Sequence, residues 1–189
     1  MRYINNKFFI EEKNIKNLTK KFNTPLYCYS YKNLRGNIEN FKKAFKEIRP
    51  LICFSVKSNS NISLLKEIKK LGLGADVVSK GELYASLKAG INKNKIVFSG
   101  VGKTKDEIEY AIKQKILLIN SESLSEVLAI EKAAKKLNKV VNIGLRLNPD
   151  TDAETLKQIS TGKSENKFGV DKKTSVSYTH LTLPTINWV

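Results

Sequence analysis

Cysteine is nearly missing from this sequence: only Cys28 and Cys53 occur, each inside an apolar, strand-like run. Two cysteines build no disulfide framework, and with no secretory signal the expectation is a pair of buried free thiols in a reducing cytoplasm. Histidine and tryptophan occur once each, as His180 and Trp188, and no zinc-finger spacing or other metal-ligand pattern is present. Arginine is scarce too: Arg2, Arg35, Arg49 and Arg146 are the only four among 34 basic residues. A formal charge of +16 invites a nucleic-acid reading, but arginine is the usual residue for bidentate base and phosphate recognition. The lysines are spread over every expected helix, as in KEIKK and EKAAKK, so the charge is read as a compositional habit. Long hydrophobic runs are missing as well. MRYINNKFFIEEKNIKNL contains no uninterrupted apolar stretch, so neither signal peptide nor membrane span is expected.

What is there reads as a folded protein. Hydrophobic content of 41% with 28% charged residues is that of a soluble globular chain, not a disordered one. TPLYCYS (24–30) reads as a strand, and KNLRGNIENFKKAFKE (32–47) spaces Leu34, Ile38, Phe41 and Phe45 as one helical face. A rhythm then sets in. The short apolar runs LICFSV, GADVV, KIVFSG, ILLIN and VVNIGLRLN are separated by amphipathic stretches of helical length. Strands of about five residues alternating with helices of about ten to fifteen predict βα units on a parallel sheet. Ser79/Glu82, Thr104/Glu107 and Ser123/Glu126 each carry the hydroxyl and glutamate of a capping box at a helix start. A doubly wound sheet and a (β/α)8 barrel both fit this rhythm. No GxGxxG or GxxxxGK[ST] follows the first strand, so the dinucleotide and P-loop versions lose support.

In either architecture functional groups collect at the C-terminal ends of the strands. There the run ICFSV is followed by Lys57, Asp76 falls within GADVV, and Arg146 lies near the end of VVNIGLRLNP. A lysine closing an apolar strand is either a solvated end or a reactive amine on a rigid mount.

The segments TPLYCYS, FSVKSNSN, GLGADVVSKGELYASLKAG, IVFSGVGKT, INSES, LRLNPDTDAET and ISTGKSENKFGV, in this order, resemble the alanine-racemase-like, pyridoxal-phosphate-dependent decarboxylases. GADVVSKGELY, FSGVGKT and ISTGKSENKFG resemble their diaminopimelate branch most; sister enzymes of ornithine, arginine or carboxynorspermidine share the lysine motif and diverge later. The resemblance implies a partial (β/α)8 barrel of roughly five βα units, with 1–23 as a leader, 24–170 as the incomplete barrel and 171–189 as a foreign tail. It implies Lys57 as the lysine that condenses with pyridoxal 5'-phosphate, and Asp76, Arg146 and Glu82 as further cofactor-pocket residues. Each of the last three has a plainer reading: a local backbone cap for Asp76, a structural ion pair for Arg146 and the capping box for Glu82.

The implied reaction is decarboxylation of meso-2,6-diaminopimelate to L-lysine, by a cytoplasmic protein that is a homodimer at full length. A sister decarboxylase or a pyridoxal-phosphate-carrying barrel without a reaction of its own are the alternatives. Relatives commonly have histidine after the threonine of the DAxT segment, where this chain has Leu156 after Thr155. The last fifteen residues, SVSYTHLTLPTINWV, hold no aspartate, glutamate, lysine or arginine and resemble a translated sequencing adapter. His180 is therefore assigned no role. The family's ring-stacking histidine, phosphate loop, pyridine-nitrogen glutamate and C-terminal domain have no counterpart in these residues, so the chain alone is expected to be inactive.

Overall fold

The computed structural model describes residues 1–151, 169–171 and, for the backbone alone, 186–188. Thr155, Leu156, the 166–168 block and His180 lie outside the described residues. The chain divides into two compact units, Met1–Pro50 and Leu51–Val189.

The first unit opens with a meander of β1 (Arg2–Ile4), β2 (Lys7–Ile10) and β3 (Lys13–Asn14). Asn5 and Asn6 both take positive φ, at 47° and 58°, between the paired Ile4 and Lys7. This is the geometry that a two-residue hairpin demands and that asparagine tolerates. α1 (Ile15–Phe22) starts on Asn14, whose side chain accepts from Lys16 N–H at 2.8 Å. α2 (Tyr31–Ala44) starts on Ser30, and Glu11 Oε1 accepts both Ser30 Oγ at 2.7 Å and Lys32 N–H at 2.8 Å. Those two donors, the Lys32 amide first, hold the Glu11 carboxyl below its ordinary range. The strand expected over 24–30 is corrected. That stretch pairs with no other strand among the described residues, and Tyr27 and Tyr29 are exposed. β-propensity without a hydrogen-bonding neighbour yields only extended chain.

The second unit follows the expected rhythm: β4 (Cys53–Ser55), α3 (Ile62–Lys70), β5 (Gly74–Val77), α4 (Lys80–Lys88), β6 (Ile96–Phe98), α5 (Lys105–Gln114), β7 (Leu118–Ser121), α6 (Leu124–Leu137) and β8 (Val141–Leu145). Short pieces follow at β9 (Leu147–Asn148), β10 (Val170–Asp171) and β11 (Ile186–Trp188). Strands β4 to β8 lie in sequence order, each parallel to its neighbour, with β11 parallel beside β8. A doubly wound sheet reverses its order at a switch point, whereas a barrel adds each strand on the same side. The described strands show no reversal, which decides for the barrel pattern. The sheet and its helices bury Leu65, Ile68, Leu83, Ile96, Phe98, Ile108, Ile119, Ile130 and Ile143 completely. Among the described residues no helix is long and apolar enough to cross a membrane.

One polar atom in this core is idle. Ser86 on α4 is fully buried, and its Oγ has no hydrogen-bond partner among the described residues. Ser86→Ala is expected to leave thermal stability unchanged or to raise it by up to about 1 kcal/mol, because an unsatisfied hydroxyl is removed and helix propensity rises. A fall of the melting temperature would show that the hydroxyl is bonded after all.

The three capping boxes differ in detail. Thr104 and Glu107 form the reciprocal box. Ser79 and Ser123 accept from Glu82 and Glu126 N–H, but those glutamates reach one residue further back, to the N–H of Val78 at 2.9 Å and of Glu122 at 2.8 Å. The N-cap φ explains this: −155° at Ser79 and −161° at Ser123, against −73° at Thr104. The more extended N-cap turns its own N–H away and presents the preceding one. As a result Glu82 and Glu126 each lock the residue that follows a strand.

Candidate active site

Polar side chains collect at the C-terminal strand ends of the second unit. β4 closes at Ser55 and the chain turns at once into a one-turn 3-10 helix, Val56–Ser58. Lys57 thus stands just beyond the strand and not on it, a correction to the strand-end expectation. The turn is pinned by Ser58 Oγ donating to the Ser55 carbonyl at 2.7 Å and by Asn59 N–H donating to the Val56 carbonyl at 3.0 Å. Val56 is fully buried and anchors the turn, while Lys57 is exposed. Among the described residues the Lys57 amine has no hydrogen-bond or ionic partner.

Ser55 lies in register with Asp76 on β5. Asp76 Oδ1 accepts from Ser99 Oγ at 2.6 Å, and Ser99 Oγ accepts in turn from Asn120 Nδ2 at 3.1 Å. A hydrogen-bonded row therefore crosses the ends of β5, β6 and β7. It finishes against Gly144 of β8, where a Cβ would sit 2.5 Å from Asn120 Oδ1. Asp76 Oδ2 has no hydrogen-bond partner among the described residues. Ser99 and Asn120 were not among the expected site residues, although each is the polar end of an apolar strand, the same signal that singled out Lys57.

Glu82 sits on the first turn of α4 behind β5, engaged with Val78 N–H. Arg146 lies at the far side of the sheet, between β8 and β9. Its N–H donates to the Ser121 carbonyl and its carbonyl accepts from Val170 N–H, both at 2.9 Å. Its Nη1 donates to Glu122 Oε1 at 3.1 Å, and Glu122 Oε2 also accepts from Gly169 N–H at 3.0 Å. Glu122 is buried, so this pair ties β7, β8 and β10 together. Lys57, one turn past β4, and Asp76, on β5, are thus at neighbouring strand ends, and Glu82 follows β5 on the first turn of α4. Arg146, past the end of β8, is four strand spacings from Lys57, each about 4.8 Å along a sheet.

Both cysteines are free and half-buried, not fully buried as expected. Burial, and after it the charge of Asp76, push the Cys53 thiol up from its ordinary pKa. Among the described residues no group of three or more metal-ligating side chains occurs.

Parallel strands added in sequence order, with a lysine just past one C-terminal end and a braced carboxylate at the next, define an α/β domain of the barrel type. The chain belongs to the pyridoxal-dependent decarboxylases: the model of that family's pyridoxal binding domain matches residues 31–184. Among curated proteins it is 48% identical over 160 residues to the diaminopimelate decarboxylase of Helicobacter pylori strain J99, a match covering 85% of this chain and 40% of the relative. Among solved structures it is similar to diaminopimelate decarboxylase from Helicobacter pylori complexed with L-lysine, with TM-score 0.89 and 42% identity over 93% of this chain and 45% of that one. Diaminopimelate decarboxylase from M. jannaschi gives TM-score 0.90 and 34% identity over 100% of this chain and 46% of that one. The chain spans about 40% of the length of the curated relatives it matches.

Proposed function

We propose that this chain is the pyridoxal-phosphate-binding part of a diaminopimelate decarboxylase, which converts meso-2,6-diaminopimelate to L-lysine and carbon dioxide. The observation that carries the reading is the 44–48% identity to diaminopimelate decarboxylases across the stretch that holds Lys57, Asp76, Glu82 and Arg146. The residues present suit the aldehyde end of the cofactor. Lys57 offers an exposed primary amine bonded to nothing else among the described residues, on a turn anchored by Val56. Asp76 offers a carboxylate fixed on one oxygen and open on the other. When bound, the cofactor supplies the electron sink for the electrons of the broken carbon–carbon bond.

This chain's own residues bind and orient. Lys57 is the nucleophile toward the aldehyde, its amine kept within reach by the 3-10 turn. Asp76 presents its open oxygen to the cofactor, and Glu82 keeps the β5–α4 turn in place. Arg146, steadied by Glu122, supplies a cation at the opposite side of the mouth. Decarboxylation belongs to the whole protein, a cytoplasmic homodimer with an amino-acid substrate; the 189 residues alone bind the cofactor without turnover, and the lysine-rich surface has no nucleic-acid role.

The test has two arms. Pyridoxal phosphate is added to the chain, the bond is fixed with borohydride, and the modified peptide is mapped by mass; the adduct is expected on Lys57. The whole protein is then offered meso-diaminopimelate, ornithine and arginine, with carbon dioxide release expected from the first alone. An adduct spread over surface lysines, or preference for another amino acid, would overturn the assignment.

A further inference from the structure

Beyond Ser99, at the end of β6, the loop runs Gly100-Val101-Gly102-Lys103. Gly100 and Gly102 take positive φ, at 94° and 72°, and bend the loop after β6 so that Lys103 returns toward the sheet. Its side chain is 2% exposed. Lys103 Nζ donates to the Gly100 carbonyl at 2.7 Å, to the Asn120 carbonyl at 2.6 Å and to Glu126 Oε1 at 2.6 Å. An ammonium has three donors, and all three are used. Beneath it lies the ring of the fully buried Phe98, with Nζ 5.7 Å from the centroid.

What these acceptors are attached to matters more than their number. Gly100 follows Ser99 directly, and Asn120 is itself the next member of the row that braces Asp76. Lys103 therefore holds the backbone within a residue of both side chains. The second oxygen of Glu126 accepts from Glu122 N–H, and Glu122 holds Arg146, so the same ammonium is linked to the opposite side of the mouth. A buried lysine–glutamate pair is a weak source of stability compared with apolar side chains of the same volume. Its distinctive property is directional: it ties two strand ends and a helix start at fixed points.

We propose that Lys103 is a positioning residue of this site, its ammonium joining the carbonyls of Gly100 and Asn120 to the Glu126 carboxylate so that Ser99 and Asn120 hold Asp76 toward the cofactor. This rests on the pyridoxal-phosphate reading above. Lys103 touches no reacting atom; it acts through Ser99, Asn120 and Asp76.

Two variants of this chain separate positioning from mere stability. Lys103→Met strands the Glu126 carboxylate and is expected to lower both stability in urea and affinity for pyridoxal phosphate. Lys103→Met/Glu126→Gln removes the stranded charge and is expected to regain most of the stability, while affinity, read as borohydride-trapped adduct on Lys57 against cofactor concentration, stays about tenfold weaker. In the cofactor-free chain the side-chain amide of Asn120, followed by nitrogen-15 NMR, is expected to move toward the shift and exchange rate of a solvated amide in both variants. A double variant with restored stability, wild-type affinity and an unmoved Asn120 signal would overturn the proposal. If the double variant stays unstable, the Asn120 signal of the folded fraction decides in the same way. A wild-type chain with no adduct on Lys57 sinks the cofactor reading instead, and the Asn120 signal then rules alone on Lys103.

Discussion

Lys57→Arg is expected to abolish the borohydride-trapped adduct on this chain and to lower decarboxylation by the whole protein roughly 10³-fold or more, with stability unchanged within about 0.5 kcal/mol. The reason is chemical. Arginine keeps the charge and much of the length but offers no amine to condense with an aldehyde. Lys57 is exposed and bonded to nothing among the described residues, so its loss leaves no orphaned partner and opens no cavity. Urea denaturation of the same sample is the control: a large fall in stability would mean that the lysine supports the fold. An adduct that persists on another lysine would mean that the amine in the mouth is not special.

Gly74→Ala is expected to destabilise the chain by about 3 kcal/mol or more, since among the described glycines a Cβ meets its closest backbone clash there. Gly74 opens β5 between β4 and the turn before β6. A Cβ there would lie 2.1 Å from the Lys95 carbonyl oxygen and 2.9 Å from Cys53 Sγ. Backbone cannot step aside as a side chain can, so strands β4 and β6 must part or β5 must slip. The slot is also where the Cys53 thiol reaches the Lys95 carbonyl, at 3.7 Å. Two other glycines calibrate the result. Gly36, on α2, has open space where a methyl group would go, with nothing within 4 Å. Gly36→Ala is expected to stabilise by about 0.5–1 kcal/mol through helix propensity. Gly144→Ala meets only the Asn120 side chain at close range, so it is expected to disturb the braced row around Asp76 more than the fold. Urea midpoints for the three variants check the order; a Gly74→Ala chain as stable as the wild type would mean that the sheet has slack at this point.

Much of the second unit was legible because its signals are local. Each helix from Ile62 to Leu137 and each strand from Cys53 to Leu145 follows from apolar periodicity and a polar N-cap, which neighbouring residues set without distant help. The first unit was less legible. The Asn5–Asn6 turn lies in the 1–23 leader, where no strand was expected, and the 24–30 stretch has strand-forming residues with no strand to pair with among the described residues. For Lys57 the strand-end pattern leaves a solvated end and a reactive amine both open, and only the family resemblance of FSVKSNSN singles it out. Ser99 and Asn120 carry the same strand-end signal without their partners, and Glu122 and Lys103 carry none, because their meaning lies in what they touch.

By itself, then, the order of residues determined the alternation of parallel strands and helices, the helix starts, and the amine at the end of the first strand of the second unit. Each depends on contacts within one turn or one strand. Only the tertiary structure decided between a reversing sheet and a barrel, moved Lys57 from the strand onto a 3-10 turn, and turned two capping boxes into locks on the strand ends. It alone joined Asp76 to Asn120 and Lys103 to Glu126, over 44 and 23 positions of sequence. Side-chain hydrogen bonds between separate βα units depend on register and loop geometry, and no local pattern carries either.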